Sequence, residues 1–142
     1  SISLPAYGNS FMKDDFPVSG EREPSRLKNV LATSYSSDPY QTDSTPCLPA
    51  MNYDLCEAAE RGEVNTIAAN FLAKGTQVRF PELYGDKVFV VRDRMNARYN
   101  HTNRIDFYTA VLDDEGRLDN RASKQTAKQF GLKRTKMEVF GK

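Results

Sequence analysis

Apolar and polar residues alternate at a period of two along most of the chain beyond residue 28, a pattern that predicts strands rather than helices. In 29–36, Leu31, Thr33 and Tyr35 fall on one face and Val30, Ala32 and Ser34 on the other. The short apolar run 65–70 reads as a second strand. After a tight connection over 71–75, a third spans 76–80, with Val78 and Phe80 on one face and Pro81 ending it. Runs rich in β-branched and aromatic residues at 87–91 and 104–108 predict the fourth and fifth, the former entered by a turn over 82–86. An alternating stretch at 134–140 is the sixth.

Two helical signals interrupt this pattern. Asp54 followed three residues later by Glu57 has capping-box spacing, and the helix it opens is stopped by Gly62. Ser123 is placed to N-cap a second short helix through Phe130, with Gly131 as its C′ residue. The acidic turn at 113–116 lies in a predicted mobile excursion over 112–121. Six short strands, one or two short helices and turn signals at this spacing predict an all-β domain closed into a barrel. Residues 1–27, with three prolines and no sustained period, read as an extended N-terminal arm or linker, leaving 28–142 as the domain. The arm could pack on its own domain or on a second copy, which makes a homodimer one expectation.

Composition narrows the setting. Apolar content of 39%, 11% aromatics and a mean hydropathy of −0.65 belong to a soluble folded domain. No run approaches the ~18 apolar residues of a membrane span. The net charge of +1 conceals an excess of basic residues from Arg117 onward. Such an end suits an anionic polymer, either nucleic acid or a cell-wall glycan with peptide carboxylates. The chain begins at Ser1 without methionine, which fits removal of an upstream export segment. Cys47 and Cys56 would close a small loop as a disulfide in an exported protein and be unrelated thiols in a cytosolic one. A single histidine is too few for a Cys/His zinc site.

The chain has no Gly-rich phosphate loop, no G-x-S-x-G elbow and no H-E-x-x-H. A nucleophile–histidine arrangement would have to use His101, which lies in a polar loop. Two carboxylates stand out instead. Asp93 leaves the fourth strand, and Asp106 sits inside the fifth between Ile105 and Phe107. Apolar neighbours should raise the pKa of Asp106 toward the range useful to a general acid. Arg92 and Arg94 should keep Asp93 ionised. If the two strands are neighbours, both carboxyls face one groove, and glycosidic cleavage needs an acid and usually a second carboxylate.

In chain order, Thr33-Ser34-Tyr35-Ser36, then Thr66 to Val78, then Val90-Val91-Arg92-Asp93-Arg94-Met95-Asn96, then Asn103-Arg104-Ile105-Asp106-Phe107-Tyr108, then Ala127 to Arg134, resemble the three-aspartate (3D) domain. That domain occurs in MltA-type lytic transglycosylases and in stationary-phase-survival muralytic proteins. The resemblance covers about 30–140. It implies a six-stranded double-psi β-barrel and an exported, wall-associated enzyme acting on peptidoglycan glycan strands. The implied reaction breaks the β-1,4 bond between N-acetylmuramic acid and N-acetylglucosamine without water, leaving a 1,6-anhydro ring. In it Asp106 is both acid and base, Asp93 supports it, and neither a metal nor another cofactor is required. Thr33, Tyr35, Asn70, Asn96 and Arg104 would line the groove.

The chain also departs from the family pattern. Asn70 stands where the third aspartate falls, and Arg94-Met95-Asn96 replaces the usual Thr-Gly-Gly after Asp93. The Ala-Ser-Gly signature before the second strand is replaced by 47–62. A non-catalytic glycan-binding barrel is therefore the alternative reading, and nucleic-acid binding by the basic end a third, outside the favoured set of partners.

Overall fold

In the computed structural model, residues 24–37, 47 and 53–141 are described. They form a mostly β fold of six strands: β1 (Arg26–Tyr35), β2 (Thr66–Ala69), β3 (Gln77–Arg79), β4 (Val88–Asp93), β5 (Arg104–Tyr108) and β6 (Lys133–Gly141). Helices α1 (Leu55–Glu60), α2 (Pro81–Tyr84) and α3 (Asn120–Phe130) and a 3-10 turn at Ala97–Tyr99 lie between them. The ladder order is β1-β5-β2-β4-β3-β6, and β6 pairs back onto β1, so the sheet closes on itself. Two pairs are parallel, β1 with β5 and β2 with β4, and the other four are antiparallel.

Alternation decides what each face buries. Val30, Ala32, Ile67, Ala69, Val78, Phe89, Val91, Ile105, Phe107, Met137 and Val139 all turn into the enclosed core with Phe80. Phe80 meets Phe107 edge-on at 4.6 Å, and Phe89 packs on both at 5.2–5.5 Å. Each such side chain contributes roughly 1.5–3 kcal/mol by leaving water. The opposite face of β1, β2 and β5 carries a second, smaller cluster of Tyr35, Ala68 and Tyr108, covered by Leu55 and Ala59 of α1. Arg79 and Glu138, paired across β3 and β6 at 2.6 Å, flank the far side of the sheet.

Several local expectations are corrected. β1 starts at Arg26 because 26–28 pair with β6, so the last residues of the expected arm belong to the sheet; 1–23 lie outside the described residues. The 82–86 turn opens as the short helix α2, with Pro81 in its first turn, where its missing N–H costs nothing. α3 begins earlier than expected: Asp119, not Ser123, is its N-cap and accepts from Ala122 N. Ser123 lies buried inside the helix, its Oγ accepting from Val111 N and donating to Asp119 O. The excursion at 112–121 is hydrogen-bonded, with a Leu112–Leu118 bridge and Asp113 Oδ1 accepting from Glu115 N and Arg117 N. The α1 expectation holds: Asp54 accepts from Glu57 N, and Gly62 follows at φ 87°. No helix among the described residues is long and apolar enough to cross a membrane.

Candidate active site

The two aspartates do not sit on neighbouring strands, as the sequence spacing had invited, because β2 runs between β4 and β5. Ala68 of β2 is opposite Asp106 on one side and opposite Asp93 on the other. Thr33 of β1 is in turn opposite Asp106. A row Thr33–Asp106–Ala68–Asp93 thus crosses four strands on the outer face, and the two aspartate Cα atoms lie about 9–10 Å apart.

Asp93 reaches this row through a bulge. Ile67 pairs with Val91 but Ala68 pairs with Asp93, so Arg92 is the extra residue. Val91 points into the core, and strict alternation would send Asp93 the same way. The bulge re-aims it outward beside Ala68. There Asp93 Oδ2 accepts from Tyr35 OH at 2.9 Å and Oδ1 from Arg94 N at 2.8 Å, the acceptor-only pattern of a carboxylate. The flanking guanidiniums go elsewhere. Arg92 donates to Asn65 Oδ1 and Thr66 Oγ1 and stacks on Tyr53, and Arg94 donates to the carbonyls of Ala69 and Leu72. Donors from Tyr35 and the backbone, rather than the two arginines, hold Asp93.

Asp106 is half-buried, and Thr33 Oγ1 donates to its Oδ1 at 3.1 Å. Burial pushes its carboxyl from 3.8 up to about 7, against the opposing pull of the Thr33 hydrogen bond and the Arg104 charge, with Asp93 adding to the rise. The apolar cover is the outer cluster around it: Ala68 is only 3% exposed, and Tyr35 and Tyr108 pack with rings 5.6 Å apart. Ile105 and Phe107 point to the opposite, inner face. The sequence expectation has the right direction, but the desolvating groups are different ones. With Oδ1 accepting from Thr33, the acid proton belongs on Oδ2. Burial, and then Asp93, also raises the pKa of the Tyr35 phenol, so it stays a donor.

Asn70 follows β2 and braces the β4–β5 loop. Its Nδ2 donates to Asn96 O (3.0 Å) and Asn100 Oδ1 (2.9 Å), and its Oδ1 accepts from Met95 N (2.7 Å). An aspartate has no donor and could make only the last of these. Asn96, expected to touch substrate, is exposed and accepts from Arg98 N to cap the 3-10 turn. Met95 packs partly buried against the outer cluster. Arg104 lies two residues before Asp106 on the same face, with its guanidinium 4.8 Å over the Tyr99 ring. Among the described residues its buried Nε has no hydrogen-bond partner, a state costing about 1–3 kcal/mol.

Thr33, Tyr35, Asp93, Asp106 and Arg104 therefore share one face, while Asn70 and Asn96 build the loop beside it. Sequence reasoning missed Ala68, whose small side chain separates the two carboxyls, and Tyr99, which seats Arg104. Cys47 and Cys56 form a disulfide that ties the start of α1 to the preceding segment, where Leu55 N also donates to Cys47 O. Asp54 lies beside the two sulfurs, but their mutual bond removes them as metal ligands. No protein-family model matches the chain, and no curated protein matches it.

Proposed function

We propose that the protein is a peptidoglycan lytic transglycosylase with Asp106 as its single acid/base, built on a double-psi β-barrel. The two parallel strand pairs within the closed six-stranded order support the fold. One observation carries the activity: a carboxyl that keeps its proton near neutrality stands across a single alanine from a second carboxyl on the same face. Asp106 Oδ2 protonates the glycosidic oxygen as the C1–O bond breaks. The sugar's own C6 hydroxyl then attacks C1 and returns its proton to Asp106, closing the anhydro ring. Asp93, held by Tyr35 and Arg94 N, faces the positive charge that develops on the sugar. Export and a wall location belong to this reading, and the disulfide is compatible with them.

The test is digestion of purified peptidoglycan followed by mass analysis of the soluble fragments. Anhydro ends from wild type and none from Asp106→Asn are expected. Equal release by the variant, or reducing ends in place of anhydro ends, overturns the assignment.

A second reading, a non-catalytic glycan-binding domain, draws on Asn70 and Met95. The first commits its amide to the loop instead of supplying a third carboxylate, and the second places a thioether chain two residues beyond Asp93. It predicts retention on insoluble peptidoglycan without release of fragments.

A further inference from the structure

Beside the aspartate row two guanidiniums are gathered, and Arg104 feels Asp106 only as a nearby charge that lowers the Asp106 pKa, without an ion pair among the described residues. Tyr99 carries two guanidiniums on one ring, Arg98 at 4.9 Å and Arg104 at 4.8 Å from its centroid. Among the described residues neither arginine forms a salt bridge. Arg98 donates to Tyr99 OH, whereas Arg104 Nε is buried and unpaired. Across the sheet Leu31 is opposite both Arg104 and Arg134, so a third cation lies on the same row of the outer face. Two like charges on one ring repel, and an anion bound by both guanidiniums offsets that repulsion. The guanidinium of Arg104 lies over the ring, and its fork geometry suits two-point capture of a flat carboxylate.

We infer that Arg104 and Arg98, seated on Tyr99, form a subsite for a carboxylate carried by the glycan strand, next to the position where Asp106 acts. This rests on the muralytic reading and adds what that reading leaves open, the feature of the strand that is recognised. Arg104 lies about 7 Å along β5 from Asp106, so an anion held there sets the register of the strand over the acid. Two carboxylate sources exist on such a strand: the lactyl group of a peptide-stripped muramyl residue, and the acidic residues of the stem peptide.

The experiment measures binding to the Asp106→Asn protein of three soluble ligands of equal sugar length. These are a chito-oligosaccharide with no carboxylate, a peptide-stripped glycan and a peptide-bearing glycan. At low salt the expected preference for an acidic strand is about tenfold over the neutral one, shrinking as salt rises. The acidic strand that shows the preference identifies the source. Arg104→Gln removes the preference for an acidic over a neutral strand, and Arg104→Lys restores only part of it. Arg98→Gln, a change at an exposed position, lowers it even if Arg104→Gln fails to fold; Arg121→Gln, at an exposed position of α3, leaves it unchanged. Equal binding of acidic and neutral strands, no binding of any strand, or a preference that survives the Arg104 and Arg98 changes overturns the subsite. Release of anhydro products by wild type is scored separately, so loss of the subsite and loss of the muralytic reading are told apart.

Discussion

Tyr35 donates its phenol to Asp93 at 2.9 Å from a strand that is not a neighbour of β4 in the ring. The bond joins the two ends of the Thr33–Asp106–Ala68–Asp93 row, since Thr33 and Tyr35 lie on the same face of β1. Tyr35→Phe removes this donor and leaves Asp93 with Arg94 N. The expected cost is about 1–2 kcal/mol of stability by chemical denaturation, with a larger fall in kcat than rise in KM. An unchanged kcat would remove Asp93 from the chemistry.

Asp106 couples protonation to folding. Its pKa is raised from 3.8 to about 7 in the folded chain, so between those values the folded form binds more protons than the unfolded form. Its contribution to stability is complete below 3.8 and is lost as pH rises through about 7. Asp106→Asn keeps an acceptor for Thr33 and has no charge to desolvate. At pH 8 the variant is therefore expected to be more stable than wild type by roughly 1–3 kcal/mol, with the gap closing below pH 4. Denaturant titrations at the two pH values check this. Wild-type turnover falls about tenfold per unit above the pKa as the acid is lost.

Asn70→Asp places a further carboxylate beside the β4–β5 loop but removes both Nδ2 donors. The new carboxylate would also face the Asn96 carbonyl and Asn100 Oδ1. A loss of about 1–3 kcal/mol is expected. Faster amide exchange confined to residues 95–103 would locate it, and exchange rates equal to wild type would contradict the brace.

Reduction of Cys47–Cys56 frees a loop of about ten residues, for which chain entropy predicts a loss of about 2–3 kcal/mol. Cys56→Ser should lower the melting temperature and expose Leu55 and Ala59, which cover the outer cluster that desolvates Asp106. The acid pKa should then fall toward its ordinary value, readable by carboxyl NMR.

The strands were legible because a period of two is a local signal. The α1 cap was legible for the same reason, since Asp54 and Glu57 are close in sequence. The α3 start was not: Ser123 has the chemistry of a cap, but its hydroxyl is needed by Val111 N, a contact made only in the folded chain. Asp106 was found through its sequence neighbours, although they face away from it. Apart from Tyr108, two residues on, the burying residues come from β1, β2 and α1, which sequence spacing cannot bring together. Asp93 was singled out as a charge beside two arginines, yet its placement depends on the Arg92 bulge and its partner on Tyr35, both consequences of the strand order. Asn70 looked like a weakened catalytic position; only the folded loop reveals what its two donors do.

The Asn70 brace has a thermodynamic corollary. The segment bearing Tyr99 and Arg98 is joined to the end of β2 by three hydrogen bonds from one side chain and by Arg94 to the carbonyls of Ala69 and Leu72. The entropy of fixing that segment is then spent during folding rather than at encounter. A ligand docking against it meets a preorganised surface, and more of its contact energy appears as affinity.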